Sequence, residues 1–141
     1  MAQGNPNLPN AGIADIGVQL STTTLTTLLT GPSQALSNTP PVEGGYKVAR
    51  LVALSNDPSL SNYIQLSKSV GGVSFPIFTP IAINLASTFG SFAYSFVDLL
   101  AAFNNSVPYN VAPGTILQVQ LSVAPTSGKF IWVLADGLAA F

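Results

Sequence analysis

The sequence predicts an all-β fold, an antiparallel β-sandwich or a jelly-roll-like barrel of about seven to nine strands. Short apolar stretches alternate with polar residues at a period of two, and clusters of Gly, Pro, Asn and Ser separate them. Thr and other β-branched residues are common in these stretches, which favours strands. At 141 residues the chain is most simply one domain with a real hydrophobic core.

The first residues, 1–12, are predicted to form an extended N-terminal arm, and a single β-sandwich domain follows over 13–141. The arm contains two Pro, two Gly and three Asn residues, and Leu8 is its only large apolar residue after Met1. Such a segment does not build a core; it is either disordered or becomes ordered on a neighbouring subunit. The predicted partner-binding residues are Pro6, Asn7, Leu8 and Pro9.

The first strand signal lies in IADIGVQLSTTTLTTLLTG, residues 13–31. β-branched Thr side chains fit a pleated surface and lose freedom in a helix. The alternation over residues 24–28 predicts a half-buried strand. The Pro and Gly content of residues 31–45 predicts a loop.

YKVARLVALS, residues 46–55, predicts a strand that enters from solvent and is covered on both faces further along. By simple alternation, one face carries Tyr46, Val48, Arg50, Val52 and Leu54, and the other carries Lys47, Ala49, Leu51, Ala53 and Ser55. A two-layer sandwich covers only one face of a strand. We therefore expect the second face to meet a loop of the same chain or another subunit.

The middle of the chain predicts a turn, a strand and a sheet edge. Asp57 lies in the turn NDPS, and NYIQLSKS then alternates as a strand. In the apolar stretch that follows, Pro76 and Pro80 cannot donate to a ladder, so this stretch lies at an edge or forms two short strands around a kink. For residues 91–103 a strand is favoured up to residue 98, and a short helical turn fits the remainder.

The clearest strand is ILQVQLSVA, residues 116–124, in which polar Gln118 and Gln120 alternate with apolar side chains. PTSGK follows as a predicted hairpin loop, with Gly128 placed for a positive φ. FIWVLA is then predicted to return as the antiparallel partner of this strand.

Charged residues make up only 6% of the chain, against roughly 25% in ordinary soluble domains. A neutral, polar surface favours association, and we expect the protein to be assembled with other copies or other proteins. Four basic residues and a net charge of −1 argue against nucleic-acid binding. The uncharged stretch over residues 69–97 is interrupted by Pro76, Pro80 and Asn84, which argues against a membrane span.

The chain contains no His and no Cys, so the usual general base and the thiol nucleophile are both missing. The five acidic residues are Asp15, Glu43, Asp57, Asp98 and Asp136. Asp57 is interpreted as a turn residue, and Asp98 as a helix-capping or interface residue. We predict no enzymatic activity and no catalytic, metal or cofactor site.

The order of TTTLTTLLTGP, GGYKVARLVALSN, NYIQLS and VAPGTILQVQLSV resembles that of small β-sandwich virion proteins of tailed bacteriophages. The turn at Pro113-Gly114-Thr115 and the strand that ends at Asn56 carry much of this likeness, which covers roughly residues 20–135. The family includes capsid decoration (cement) proteins and components of tails and necks. The resemblance implies a location on the surface of the viral capsid, contact with major capsid subunits and a homo-oligomer, with a trimer favoured.

The predicted function is therefore that of a structural virion protein, a capsid decoration protein that stabilises the phage head by bridging major capsid subunits. A tail, neck or other capsid component is the alternative within the same class. A carbohydrate-binding or adhesive β-sandwich module is the alternative from another class. Its candidate aromatic residues are Tyr46, Tyr63, Tyr94, Tyr109 and Trp132, for which packing in a core or interface is the favoured interpretation.

Overall fold

The computed structural model describes residues 12–32, 45–89 and 92–139. The described residues form eleven strands and one short helix: β1 Gly12–Leu20, β2 Thr26–Thr30, β3 Tyr46–Ser55, β4 Asn62–Val70, β5 Val73–Pro76, β6 Ile81–Ile83, β7 Ser87–Phe89, β8 Phe92–Asp98, α1 Leu99–Asn104, β9 Tyr109–Val111, β10 Ile116–Leu121 and β11 Ile131–Ala139. Pro6, Asn7, Leu8 and Pro9, with nearly all of the predicted arm, lie outside the described residues.

The strands form two antiparallel sheets that pack face to face, which confirms the predicted all-β sandwich. The six-stranded sheet has the order β1-β11-β3-β8-β7, and β9 also pairs with β3. The five-stranded sheet has the order β2-β10-β4-β5, and β6 also pairs with β4. The core between them draws Leu51 and Val133 from the first sheet and Ile64, Leu66 and Val119 from the second.

The strand pairing is nested. β1 pairs with β11, β2 with β10, β3 with β8 and β9, and β4 with β5 and β6. Successive strands from β1 to β4, and again from β10 to β11, lie in opposite sheets, so the chain forms one long antiparallel ribbon wrapped around its core. This arrangement is a jelly roll. Three of the strands, β6, β7 and β9, have three residues each and extend the sheets at their edges.

The expected simple alternation of β3 is wrong because the strand carries a bulge. Asp136 pairs with Arg50 and Gly137 pairs with Val48, so Ala49 is the extra residue. Tyr46 and Val48 face the core before the bulge, and Leu51, Ala53 and Ser55 are buried after it. The bulge therefore reverses the phase of the strand halfway along its length. The predicted covering of both faces is confirmed over residues 51–53, all of which are buried.

The predicted hairpin between β10 and β11 is also wrong. β10 pairs with β2 and β4, whereas β11 pairs with β1 and β3 in the other sheet. PTSGK crosses from one sheet to the other, and its turn is closed by a hydrogen bond from Lys129 N to Thr126 O at 2.8 Å. Gly128 has the expected positive φ of 80°. The sequence therefore predicted the positive φ of Gly128 in the turn correctly, but it did not predict which strands pair with β11.

The two ambiguous apolar stretches fold as expected. Pro76 ends β5, and β6 begins after Pro80, so two short strands line the edge of β4. β8 ends at Asp98, and α1 begins at the next residue, Leu99. The carboxylate of Asp98 accepts a hydrogen bond from Ala101 N at 3.0 Å, which confirms the capping role.

Candidate functional site

The outer face of the six-stranded sheet carries a row of large side chains that crosses four strands. In register, Gln19 of β1 lies beside Trp132 of β11, Trp132 beside Leu54 of β3, and Leu54 beside Phe96 of β8. These residues point away from the core, because their neighbours Val133 and Ala53 are completely buried between the sheets. An apolar strip therefore runs across the outside of the sandwich.

We call the residues Leu54, Tyr94, Phe96, Trp132 and Leu134 the aromatic face. Phe96 is 59% exposed and Tyr94 is 49% exposed, although both belong to a regular strand. Val52 lies on the same outer side, in register with Leu134 and Asp98, and is only 1% exposed. The outer side of this sheet thus combines one buried apolar residue, Val52, with exposed apolar side chains.

Neighbouring side chains hold the central ring of the aromatic face in one orientation. Trp132 Nε1 donates to Gln19 Oε1 at 3.0 Å. The Trp132 ring also lies 5.9 Å from the Phe130 ring between centroids, in a tilted arrangement. A ring fixed in this way loses little conformational entropy when a partner packs on it.

A row of charges crosses the same outer face next to the aromatic face. Asp15 lies opposite Asp136 in register, and Asp136 lies opposite Arg50. Arg50 Nη1 and Asp136 Oδ2 form an ion pair at 3.2 Å. Lys47 lies on the same strand and pairs with Leu138. We call Asp15, Lys47, Arg50 and Asp136 the charged row; it brings two acids and two bases onto one side of the molecule.

The outer face of the five-stranded sheet has a different character, with uncharged Thr, Ser and Gln side chains around a single tyrosine, Tyr63, in its groove. It contains a groove of about 380 Å³ lined by Thr23, Tyr63, Gln65, Pro80, Gln120 and Ser122, with Leu121 at its base. None of these residues is charged. We call this feature the polar groove.

The two glutamines of the polar groove lie opposite each other on β4 and β10. Gln65 Nε2 donates to Phe78 O at 2.7 Å and to Leu66 O at 2.8 Å. Gln120 Nε2 donates to Thr23 O at 3.0 Å. Because a backbone carbonyl can only accept, these contacts fix which end of each amide is the nitrogen.

The candidate aromatic residues of the sugar-binding alternative do not share a face. Tyr46 is buried in the core, and Tyr109 packs edge-on against Phe103 with ring centroids 5.2 Å apart. Packing is thus confirmed for these two. Tyr94 and Trp132 lie on the six-stranded sheet, and Tyr63 lies on the opposite side of the sandwich in the polar groove.

Asp57 is a buried carboxylate whose contacts are structural. Although burial by itself raises the pKa of Asp57, hydrogen bonds from Thr126 N, Ser59 N, the Thr126 hydroxyl and Leu60 N lower its pKa below the ordinary value. The turn role is confirmed by the local bonds to Ser59 and Leu60. The long-range bonds to Thr126 had no signal in the sequence.

Over residues 12–32, 45–89 and 92–139, no three carboxylates come together in a group that could hold a metal ion. The one helix in this part of the chain, α1, is six residues long, and no described helix is long and apolar enough to cross a membrane. Comparison of the chain with models of known protein families, and with characterised proteins, finds no match.

Proposed function

We propose that this chain is a structural protein of a virus particle, of the capsid decoration type that the sequence resembles, and that it joins neighbouring subunits through the aromatic face. The single observation that carries the proposal is the exposure of Phe96 and Tyr94 on the same outer sheet face as Trp132. Monomeric proteins rarely expose contiguous apolar patches of this kind, and such patches mark interaction sites.

Two features of the whole chain support the same function. Charged residues make up 6% of the sequence, so few ionic groups oppose association. The nested pairing from β1–β11 to β4–β5 is a jelly roll, an architecture that viral capsid domains share with lectins and cupins. Since a fold hosts many functions, the support for the virion class comes from the resemblance and the aromatic face rather than from the jelly roll.

A second copy of the chain is the partner that the charges of this face favour. With a two-fold axis parallel to the strands and between β11 and β3, each β11 residue lies opposite the β3 residue of the other copy at the same level. Trp132 then meets Leu54, and Asp136 meets Arg50. A two-fold interface must be complementary to itself, and this face meets that requirement.

The proposed function also includes binding to the capsid. The assembled protein binds the major capsid subunits at the surface of the virion, and the predicted arm contacts at Pro6, Asn7, Leu8 and Pro9 belong to this step. The trimer implied by the resemblance and the dimer favoured by the charged row differ in mass. Light scattering of the purified protein therefore separates them.

Phe96→Ser tests the aromatic face. We expect the wild-type protein to be oligomeric by light scattering and sedimentation, and the variant to associate at least about tenfold more weakly, because a serine removes most of the buried apolar area. Val107→Ser is the matched control. Val107 is 58% exposed, nearly the same fraction as the 59% of Phe96, but it lies outside the aromatic face, between α1 and β9.

The same proteins are then mixed with empty heads that contain only the major capsid protein. Wild type and Val107→Ser are expected to sediment with the heads, and Phe96→Ser to stay in the supernatant. A wild-type protein that remains a monomer at high concentration and does not bind heads would contradict the proposed function.

A further inference from the structure

The polar groove has groups arranged for a ligand, independently of any assembly through the aromatic face. Tyr63 lies in the groove and is 52% exposed. Its ring stands on β4 beside Gln65 and Gln120, which face each other across the pair β4–β10. An aromatic ring flanked by two fixed amides combines an apolar surface with directed polar groups, as ligand sites do.

The free hydrogen-bonding capacity of the two groove amides consists of acceptors. The amide nitrogens of Gln65 and Gln120 bind backbone carbonyls, whereas their Oε1 atoms accept no hydrogen bond from the part of the chain that the structure describes. Ser122 is already engaged, because its hydroxyl donates to Asn62 Oδ1 at 3.0 Å and accepts from Tyr63 N at 3.2 Å. A ligand that binds to the two amide oxygens must therefore supply hydroxyl or N–H donors.

The chemistry of the lining narrows the ligand class. The groove residues carry no charge, so neither a phosphate nor an ammonium group finds a counter-ion there. β4 lies between β10 and β5, and β10 lies between β2 and β4, so neither strand offers an open edge to an extended peptide. A neutral molecule with several hydroxyl donors and an apolar C–H surface fits these requirements.

We propose that the polar groove binds a neutral carbohydrate, with Tyr63 stacking on a sugar ring and the Gln65 and Gln120 amide oxygens accepting bonds from its hydroxyl groups. The anchored amides present these oxygens without the entropy cost of ordering a long side chain. The volume of about 380 Å³ accommodates one or two sugar rings. Thr23 and Pro80 also line the groove.

Saturation-transfer difference NMR with maltose, cellobiose and lactose, together with an array of neutral glycans, tests this site. We expect at least one neutral sugar to bind with millimolar affinity and its C–H protons to receive saturation. Tyr63→Ala is expected to weaken binding at least about tenfold, and Gln120→Leu or Gln65→Leu several-fold, because each removes one of the contacts.

Gln118→Leu is the matched control. Gln118 has the same side chain on the same outer face, two residues from Gln120, but its Oε1 accepts from Ser74 at 2.9 Å and it does not line the groove. This variant is expected to bind sugar like wild type. Thermal unfolding of all variants checks that the exposed substitutions leave the fold intact.

Two results would overturn the carbohydrate site: no binding of any neutral sugar by NMR or on the array, or binding that Tyr63→Ala leaves unchanged. Neither result bears on the proposed virion function, because that function is tested by the self-association and head binding of Phe96→Ser, a variant on the opposite sheet. Conversely, a monomeric wild-type protein that still binds sugar would support this site and contradict the assembly face.

Discussion

Asp57 connects two turns at one end of the sandwich. Its Oδ1 accepts from Ser59 N at 2.9 Å and Leu60 N at 3.2 Å within its own turn, and its Oδ2 accepts from Thr126 N at 2.7 Å in the turn before β11. Only 1% of this residue is exposed, so its hydrogen bonds take the place of water. The carboxylate therefore joins the β3–β4 turn to the β10–β11 turn.

The sequence identified the turn at Asp57 because an Asx side chain that bonds to the backbone two or three residues on is a local pattern. It did not identify Thr126, which lies 69 residues away. The same limit applies to the polar groove. Gln118 and Gln120 are equivalent in the alternating pattern of β10. The groove differs from its surroundings through long-range hydrogen bonds, from Gln120 to Thr23 O and from Gln65 to Phe78 O, which the pattern does not show.

Asp57→Asn tests the buried carboxylate. The new amide nitrogen would face the N–H of Thr126 or of Ser59, so one donor stays unpaired, at a cost of about 2 kcal/mol of unfolding free energy near neutral pH. Because folding lowers the pKa of Asp57, its contribution is present above the unfolded value and is lost as the pH falls through the lower folded value.

Chemical denaturation at about pH 7 and about pH 3 measures both effects. Wild type is expected to lose more stability on acidification than Asp57→Asn, so the gap between them narrows. Asp98→Asn is the control, because asparagine caps a helix as well as aspartate does. Equal loss of stability in wild type and Asp57→Asn would show that the carboxylate is not responsible.

At the scale of elements, two register shifts account for most of what the alternating pattern missed. In β2, Leu28 and Leu29 are both buried, because Leu28 is an extra residue: Leu117 pairs with Leu29 and Gln118 pairs with Thr27. In β3 the extra residue is Ala49. A period of two predicts faces correctly within an unbroken ladder, as in β4 and β10, and fails wherever a bulge adds a residue.

Opposite the bulge of β3, position 137 of β11 requires a glycine for reasons of space. A Cβ on Gly137 would overlap the carbonyl oxygen of Lys47 and lie 2.8 Å from Cε1 of Tyr46. The backbone of β3 cannot move away without breaking its pairing with β11. The close approach of these strands is thus a property of the pair, which the sequence of β11 alone does not reveal.

Gly137→Ala is expected to lower the free energy of unfolding by about 3 kcal/mol through this overlap. Gly17→Ala is the matched control on β1, because its Cβ would approach only Leu134 Cδ2 closely, at 2.8 Å, and that side chain is exposed and able to shift. Thermal or urea denaturation of the two variants gives the comparison. Similar stabilities would refute the close packing of β3 against β11.

The whole molecule has two outer faces with opposite chemistry. The outer side of the six-stranded sheet combines the aromatic face with the charged row, whereas the five-stranded sheet presents uncharged polar side chains around the groove. Composition alone predicted a surface poor in charge. It could not predict this division, because the nested pairing of distant strands decides which side chains share a face.

Reversing the charges of the row tests the two-fold arrangement. Within one chain the pair of Arg50 and Asp136 is exposed and contributes at most about 1 kcal/mol to stability. Arg50→Asp would place a third carboxylate beside Asp136 and Asp15, both within the chain and across the axis. We expect this variant to fold normally and to lose self-association, with an effect that salt weakens.

The double variant Arg50→Asp with Asp136→Arg exchanges the two charges and restores opposite signs between positions 50 and 136, within the chain and across the axis. Sedimentation at several salt concentrations should show wild-type association for the double variant and weakened association for Arg50→Asp. If the double variant stays as dissociated as the single one, Arg50 and Asp136 do not meet across a two-fold axis. If neither variant affects association, the copies join through a different surface.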